Sequence, residues 1–173
     1  MEDETVFINE PLDLNGLPEI EEGNFVGLHG EYLGLRLVNA GLFIALALAG
    51  GVVLYRNTDL EIWHIYVPLL LVAAFSVFVT VKGFKNKGYQ LRTHDISYRT
   101  GYLFRSITMV PLVRIQHSEV TQGPLQRLFD LATVKIYTAG GQQSDLSVPG
   151  LSPDEANKLR DYINNTVREH VEG

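Results

Sequence analysis

The sequence predicts an α+β membrane protein, a two-helix transmembrane hairpin followed by a small antiparallel β domain that ends in an amphipathic α-helix. Three observations carry this. Residues 37–55 and 62–81 contain no Asp, Glu, Lys or Arg. From Tyr89 onward, short runs alternate apolar and polar residues between turn signals, the period of half-buried strands. A capped amphipathic segment then closes the chain.

The first element is an acidic tail. Residues 1–31 hold nine Asp and Glu side chains and no Lys or Arg, whereas the remaining residues hold 14 basic and 11 acidic side chains. The net charge of −6 therefore belongs to the tail, which is expected to repel nucleic acid and anionic lipid headgroups, with residues 1–24 disordered or folded back on a basic face of the domain. Phe25, Val26, Leu28, Tyr32 and Leu33 are expected at the lipid interface just before the first span. The start of the sequence lacks a basic leader, so no signal peptide is expected.

The hairpin is assigned to residues 32–82, with spans over about 37–55 and 62–81. Each run, as a helix rising 1.5 Å per residue, matches a hydrocarbon core of roughly 30 Å. The six residues from Arg56 to Glu61 leave room only for an antiparallel connection. Tyr55, Trp63 and Tyr66 gather at that end as an aromatic belt. Lys82, Lys85, Lys87, Arg92 and Arg99 follow the second span, against only Arg56 in the connector, which predicts an inner-membrane protein with both termini in the cytoplasm. Arg36 can reach the same side. Gly41, Ala45 and Ala49 form a small-residue stripe expected to pack the hairpin, with oligomerisation the alternative, and Pro68 predicts a local kink.

The β domain is assigned to residues 86–170. Leu91, Ile96, Tyr98, Val134, Ile136, Leu146 and Val148 mark strands. The turns fall at Thr93-His94-Asp95, Thr100-Gly101, Gln122-Gly123-Pro124 and Ala139-Gly140-Gly141. Pro124 opens one short helical turn. Ser152-Pro153-Asp154-Glu155 is a capping box, and Ala156, Leu159, Ile163 and Val167 recur at helical spacing. Six or seven strands and this helix describe a small barrel plugged by its C-terminal helix, or another α+β sandwich. Between Val81 and Tyr89 the chain can extend at most about 25–30 Å, which ties the domain to the membrane surface.

Arg99 with Gly101, Val110-Pro111-Leu112 before Arg114-Ile115-Gln116, Gln122-Gly123-Pro124-Leu125-Gln126-Arg127 and Leu131-Ala132-Thr133-Val134, then the helix from Glu155 to Ile163, resemble the bacterial PH-domain family of YdbS-like membrane proteins. The resemblance covers about residues 80–168, and the hairpin before them fits it too. Asp130 stands where the family tends to have Gly, one of few residues that tolerate a left-handed backbone. The resemblance implies a PH-like antiparallel β-barrel of two near-orthogonal sheets capped by the C-terminal helix. It also implies no enzyme activity, and a frequent neighbour that is a larger related protein with several copies of the domain.

The residues themselves offer little chemistry. The chain has no Cys, and its five His residues show no ligand spacing, so no metal, cofactor or catalytic residue is expected. His117, Ser118 and Glu119 cannot converge as a triad, because neighbours on a strand point to opposite faces. Alternation falters between Ile115 and Val120, which predicts a bulge. Lys82, Lys85, Lys87, Arg92, Arg99 and Arg105 are the candidate membrane-surface or lipid contacts. The expected role is an adaptor or interaction module for another membrane protein, held at the bilayer by its tether, with lipid-headgroup sensing the alternative.

Overall fold

In the computed structural model, residues 25–58, 60–139 and 144–172 are described. The acidic tail up to residue 24, and the turn at Gly140-Gly141, lie outside them.

Two long helices lead the chain. α1 spans Gly30–Asn57 and α2 spans Ile62–Lys85, about 42 and 36 Å at the standard rise. Both are apolar and exposed along nearly their whole length, with no polar face to turn toward water, so lipid is their solvent. Pro68 lies inside α2. The hairpin closes at Gly51, where an added Cβ would lie 3.4 Å from Ile65 and 3.5 Å from the Tyr66 ring. Nearer the domain, Ala40, Ile44 and Ala47 face Leu69, Ala73 and Ser76 across a shared groove. The stripe of Gly41, Ala45 and Ala49 is therefore not the packing face. All three are exposed and nothing lies within 4 Å of a Cβ at Gly41, because the helix turns the neighbouring 40-44-47-51 row toward its partner.

Among the described residues seven strands form two antiparallel sheets. β1 (Val26–Gly27), β2 (Gly88–Leu91), β3 (Asp95–Thr100) and β4 (Ser106–Pro111) make one, in that order; β5 (Ile115–Thr121), β6 (Ala132–Thr138) and β7 (Leu146–Leu151) make the other. The predicted alternation is clearest in β2, β6 and β7. Their inner faces bury Ile96, Val110, Val134, Ile136 and Val148. A single 3-10 turn at Leu112–Arg114 passes the chain between sheets. Among the described residues no ladder joins β4 to β5 or β1 to β7, so the PH-like pair of sheets does not close into the barrel expected.

The local signals hold. The register shifts between Ile115 and His117, the predicted bulge. Asp130 takes the left-handed conformation at φ 50°. α3 (Pro124–Leu128) is the short helical turn, and Gln126 reaches back from it to the Gly123 amide (2.9 Å) and forward to Thr133 (2.8 Å). α4 (Pro153–Glu172) opens with the capping box: Glu155 N donates to Ser152 Oγ and Ser152 N to Glu155 Oε2, both at 3.3 Å. It buries Ala156, Leu159 and Ile163 against the second sheet.

The start of α1 departs from expectation. Leu28 and Tyr32 are not interfacial; with Leu35 they are buried in the core of the β domain, and Val26 is in β1, paired with Tyr89. His29 N donates to Gly150 O (3.0 Å), and His29 Nε2 lies 2.7 Å from Glu155 Oε2. Partial burial alone would raise the Glu155 carboxyl, but hydrogen bonds from His29 and Ser152 outweigh it and hold the pKa below its ordinary value. Gly150, at φ 71°, lets this turn in: a Cβ there would sit 2.6 Å from Tyr32 Cγ. On the other side α2 runs to Lys85, and only Asn86 and Lys87 precede β2. Residues 81–85 belong to α2, and a helix advances less than half as far per residue as a strand, so the stretch from Val81 to Tyr89 falls well inside its greatest possible reach.

Gly150→Ala should therefore destabilise the domain by about 2–4 kcal/mol, combining backbone strain with a clash against Tyr32. Denaturant unfolding of the protein in lipid discs measures this, and an unchanged midpoint would exclude the proposed docking of α1.

Candidate functional site: a cationic collar where helices meet the β domain

Where α1 and α2 emerge from the apolar layer they meet the turn between β3 and β4, and a cavity of about 200 Å³ lies between them. Tyr32 and Arg36 of α1, Thr80, Gly83 and Phe84 of α2, Lys87 from the junction and Thr100-Gly101-Tyr102 line it. Lys87 Nζ stands 5.5 Å from the Tyr32 ring centre. Burial, reinforced by the charge of Arg36, lowers the Lys87 pKa. Burial likewise pushes the Tyr98 hydroxyl up to about 12, with Tyr32 close by adding to the rise. The half-buried Lys87 and the more exposed Arg36 thus line one recess, an arrangement of like charges that an anion would relieve.

A second recess of about 150 Å³ shares Gly101 and is lined by Asn86, Arg99, Arg105 and Ile107. The Arg99 guanidinium lies 4.5 Å from the Phe25 ring centre, and its Nε is buried without a hydrogen-bond partner among the described residues. None of the ion pairs among those residues involves Arg36, Lys82, Lys85, Lys87, Arg92, Arg99 or Arg105.

Of the candidate lipid contacts, Lys87, Arg99 and Arg105 are brought together here. Lys82 and Lys85 are exposed on the last turns of α2, with Lys82 Nζ 5.9 Å from the Phe78 ring centre. Arg92 lies apart: it donates to Gln90 Oε1 (2.9 Å) and borders an open groove between β2 and α4 with Lys158 and Tyr162. Sequence reasoning did not place Tyr32, Thr80, Thr100 or Tyr102 at the site, and treated Arg36 only as a flanking charge. Its position one turn after Tyr32 on α1 was the available signal.

The outer face of the second sheet carries a polar cluster without a recess. His117 stacks on Tyr137 at 4.5 Å, and Tyr137 Oη donates to Glu119 Oε1 (2.7 Å), with Lys135 Nζ 3.5 Å away. Ser118 faces inward and bonds Asn164 (2.9 Å), so the three consecutive residues do not converge. Among the described residues no group of three or more His, Cys, Asp or Glu could hold a metal ion.

Comparison with known proteins agrees with this architecture. A family model described as Bacterial PH domain matches residues 31–167, taking in both apolar helices as well as the sheets. The UPF0699 transmembrane protein YdbS of Bacillus subtilis (strain 168) is 38% identical over 100 residues, a stretch that covers 57% of this chain and 61% of that protein. No solved structure matches. With the helical hairpin and the paired sheets in place, the chain belongs to the bacterial PH domain family, as a YdbS-like membrane protein.

Proposed function

We propose that the chain crosses the cytoplasmic membrane twice, keeps both termini in the cytoplasm, and serves as a non-enzymatic interaction module for another membrane protein. The observation that carries this reading is the slackless junction. A two-residue connection from α2 to β2 and the burial of Tyr32 and Leu35 hold the β domain at one height and angle over its helices. A surface held this way meets a membrane partner with little orientational entropy left to lose. β4 ends its sheet with an outer edge unpaired among the described residues, and Ile107 and Met109 are exposed on it, features suited to strand addition. A larger protein with several copies of this domain is the first partner to test.

The orientation rests on charge. Arg36, Lys82, Lys85 and Lys87 cluster at the domain end of the hairpin and only Arg56 lies at the connector, the bias expected of a cytoplasmic domain. A second reading is favoured by the collar: Arg36 and Lys87 around one recess, and Arg99 and Arg105 around the next, suit the phosphate of an anionic lipid.

Three measurements test these readings. A photo-crosslinking residue in place of Thr108, on the β4 edge, should give a discrete heteromeric adduct in native membranes that a crosslinker at Ser147 on β7 does not; the same smear from both would remove the adaptor reading. Because the chain has no Cys, Thr58→Cys should react with an impermeant maleimide in intact cells, and Lys158→Cys only after lysis; the opposite pattern would invert the topology. In lipid discs, phosphatidylglycerol should raise the thermal midpoint relative to phosphatidylcholine, and Arg36→Gln with Lys87→Gln should abolish the difference; a difference that survives both would exclude the collar as its cause.

A further inference from the structure

The β domain carries two exposed apolar tips, one on each side of the hairpin root. The first is the β3–β4 turn. Gly101, at φ 100°, makes the turn tight, since a Cβ there would collide with the Phe104 carbonyl. The turn presents Tyr102, Leu103 and Phe104, the last 90% exposed. The second is α3, whose Leu125 and Leu128 are exposed, Leu128 at 80%. In a water-facing turn, such residues would gain nothing from their position.

Their neighbours say what they face. Tyr102 packs edge-on to Phe78, ring centres 6.0 Å apart, and its Cβ lies 3.7 Å from where a Cβ would stand at Gly83. Phe78 is inside the uncharged run of α2 and Lys82 ends it, so the β3–β4 turn stands at the depth where α2 leaves lipid. Across the hairpin, Pro124 and Leu125 share a groove with Leu35, Arg36 and Asn39 of α1, and Phe129 lies against Gly34, the corresponding depth on the first helix. Arg105, Arg127, Lys82 and Lys85 are exposed around these tips, the charge that suits an anionic surface.

We propose that the underside of the β domain is itself embedded in the bilayer interface, with Leu103 and Phe104 on one side of the hairpin and Leu128 on the other inserted among lipid acyl chains. The occupant of these apolar tips is the lipid surface, continuous with the lipid around α1 and α2. The domain then sits in the membrane at three points, the hairpin and two apolar tips, and its upper surfaces alone are open to a protein partner. The proposal rests on α2 crossing the bilayer, and the test reads that separately.

The experiment uses the full chain in discs of phosphatidylcholine and phosphatidylglycerol whose acyl chains are brominated near the headgroup. Trp63 is the only Trp, so Trp63→Phe gives a dark background. Phe104→Trp and Leu128→Trp should each lose about two-fold or more of their emission to brominated lipid, with blue-shifted spectra. Val113→Trp, in the 3-10 turn beyond the far end of β4, should lose little and should be quenched by aqueous acrylamide. Phe75→Trp reports the α2 span. Emission at Phe104→Trp and Leu128→Trp that matches Val113→Trp, with Phe75→Trp quenched, would overturn the inserted tips and leave the span standing. Shielding from both bromine and acrylamide would overturn them too, by showing that protein covers them; a dry-land result at Phe75→Trp would overturn the span and the tips together. Should Trp disturb the turn, a spin label on Leu103→Cys reads the same depth from its accessibility to oxygen against a nickel chelate.

Discussion

Tyr32 is the point at which the membrane helices and the β domain become one body. Its ring fills the space over Gly150, where the backbone has no Cβ and bends through positive φ, and it is joined in the core by Leu28 and Leu35. Each of these side chains, fully buried, contributes about 1.5–3 kcal/mol relative to exposure. The hydrogen bonds of His29 to Gly150 and Glu155 then fix the angle at which α1 leaves the domain. Without this docking the β domain would hang from a two-residue strap at Asn86-Lys87, and the recess that collects Arg36 and Lys87 would not exist, since its walls come from both bodies.

The same constraint explains the electrostatics of the collar. Arg36 follows Tyr32 by one helical turn, so seating Tyr32 in the core brings Arg36 to the domain surface, and the shortness of the α2–β2 junction brings Lys87 to meet it. Burial and like charge then lower the Lys87 pKa. Lys82 and Lys85, on the exposed last turns of α2, have no such constraint and stay in the open at the domain end of the hairpin.

What was legible in the residues was local. The spans, the strand alternation at Ile96, Tyr98, Val134, Ile136, Leu146 and Val148, the capping box at Ser152, the bulge before His117 and the left-handed Asp130 all follow from periodicity or backbone stereochemistry within a few residues. What was not legible depended on distant partners. β1 is two exposed residues, too short to show alternation, and exists because β2 offers it an edge. Leu28 and Tyr32 read as an interfacial approach to a span because nothing nearby reveals the open space at Gly150. The small-residue stripe misled because two adjacent rows of α1 are equally apolar, and only the position of α2 decides which is packed. At the site, the cations were visible as a list, but their division between the collar and the separate position of Arg92 is a property of the fold.

The pairing of Val26 with Tyr89 has a consequence for biosynthesis. The ribosome delivers β1 and the first turn of α1 before either span, and the remaining strands only after both. Under the proposed double crossing, the core is completed only once both helices have inserted and returned the chain to the compartment where it started. A nascent chain whose second helix failed to insert would leave Leu28, Tyr32 and Leu35 stranded across the bilayer from the sheets they fill. Correct threading and a finished β domain are thus checks on each other, and a misthreaded copy would betray itself to proteases by its hollow core.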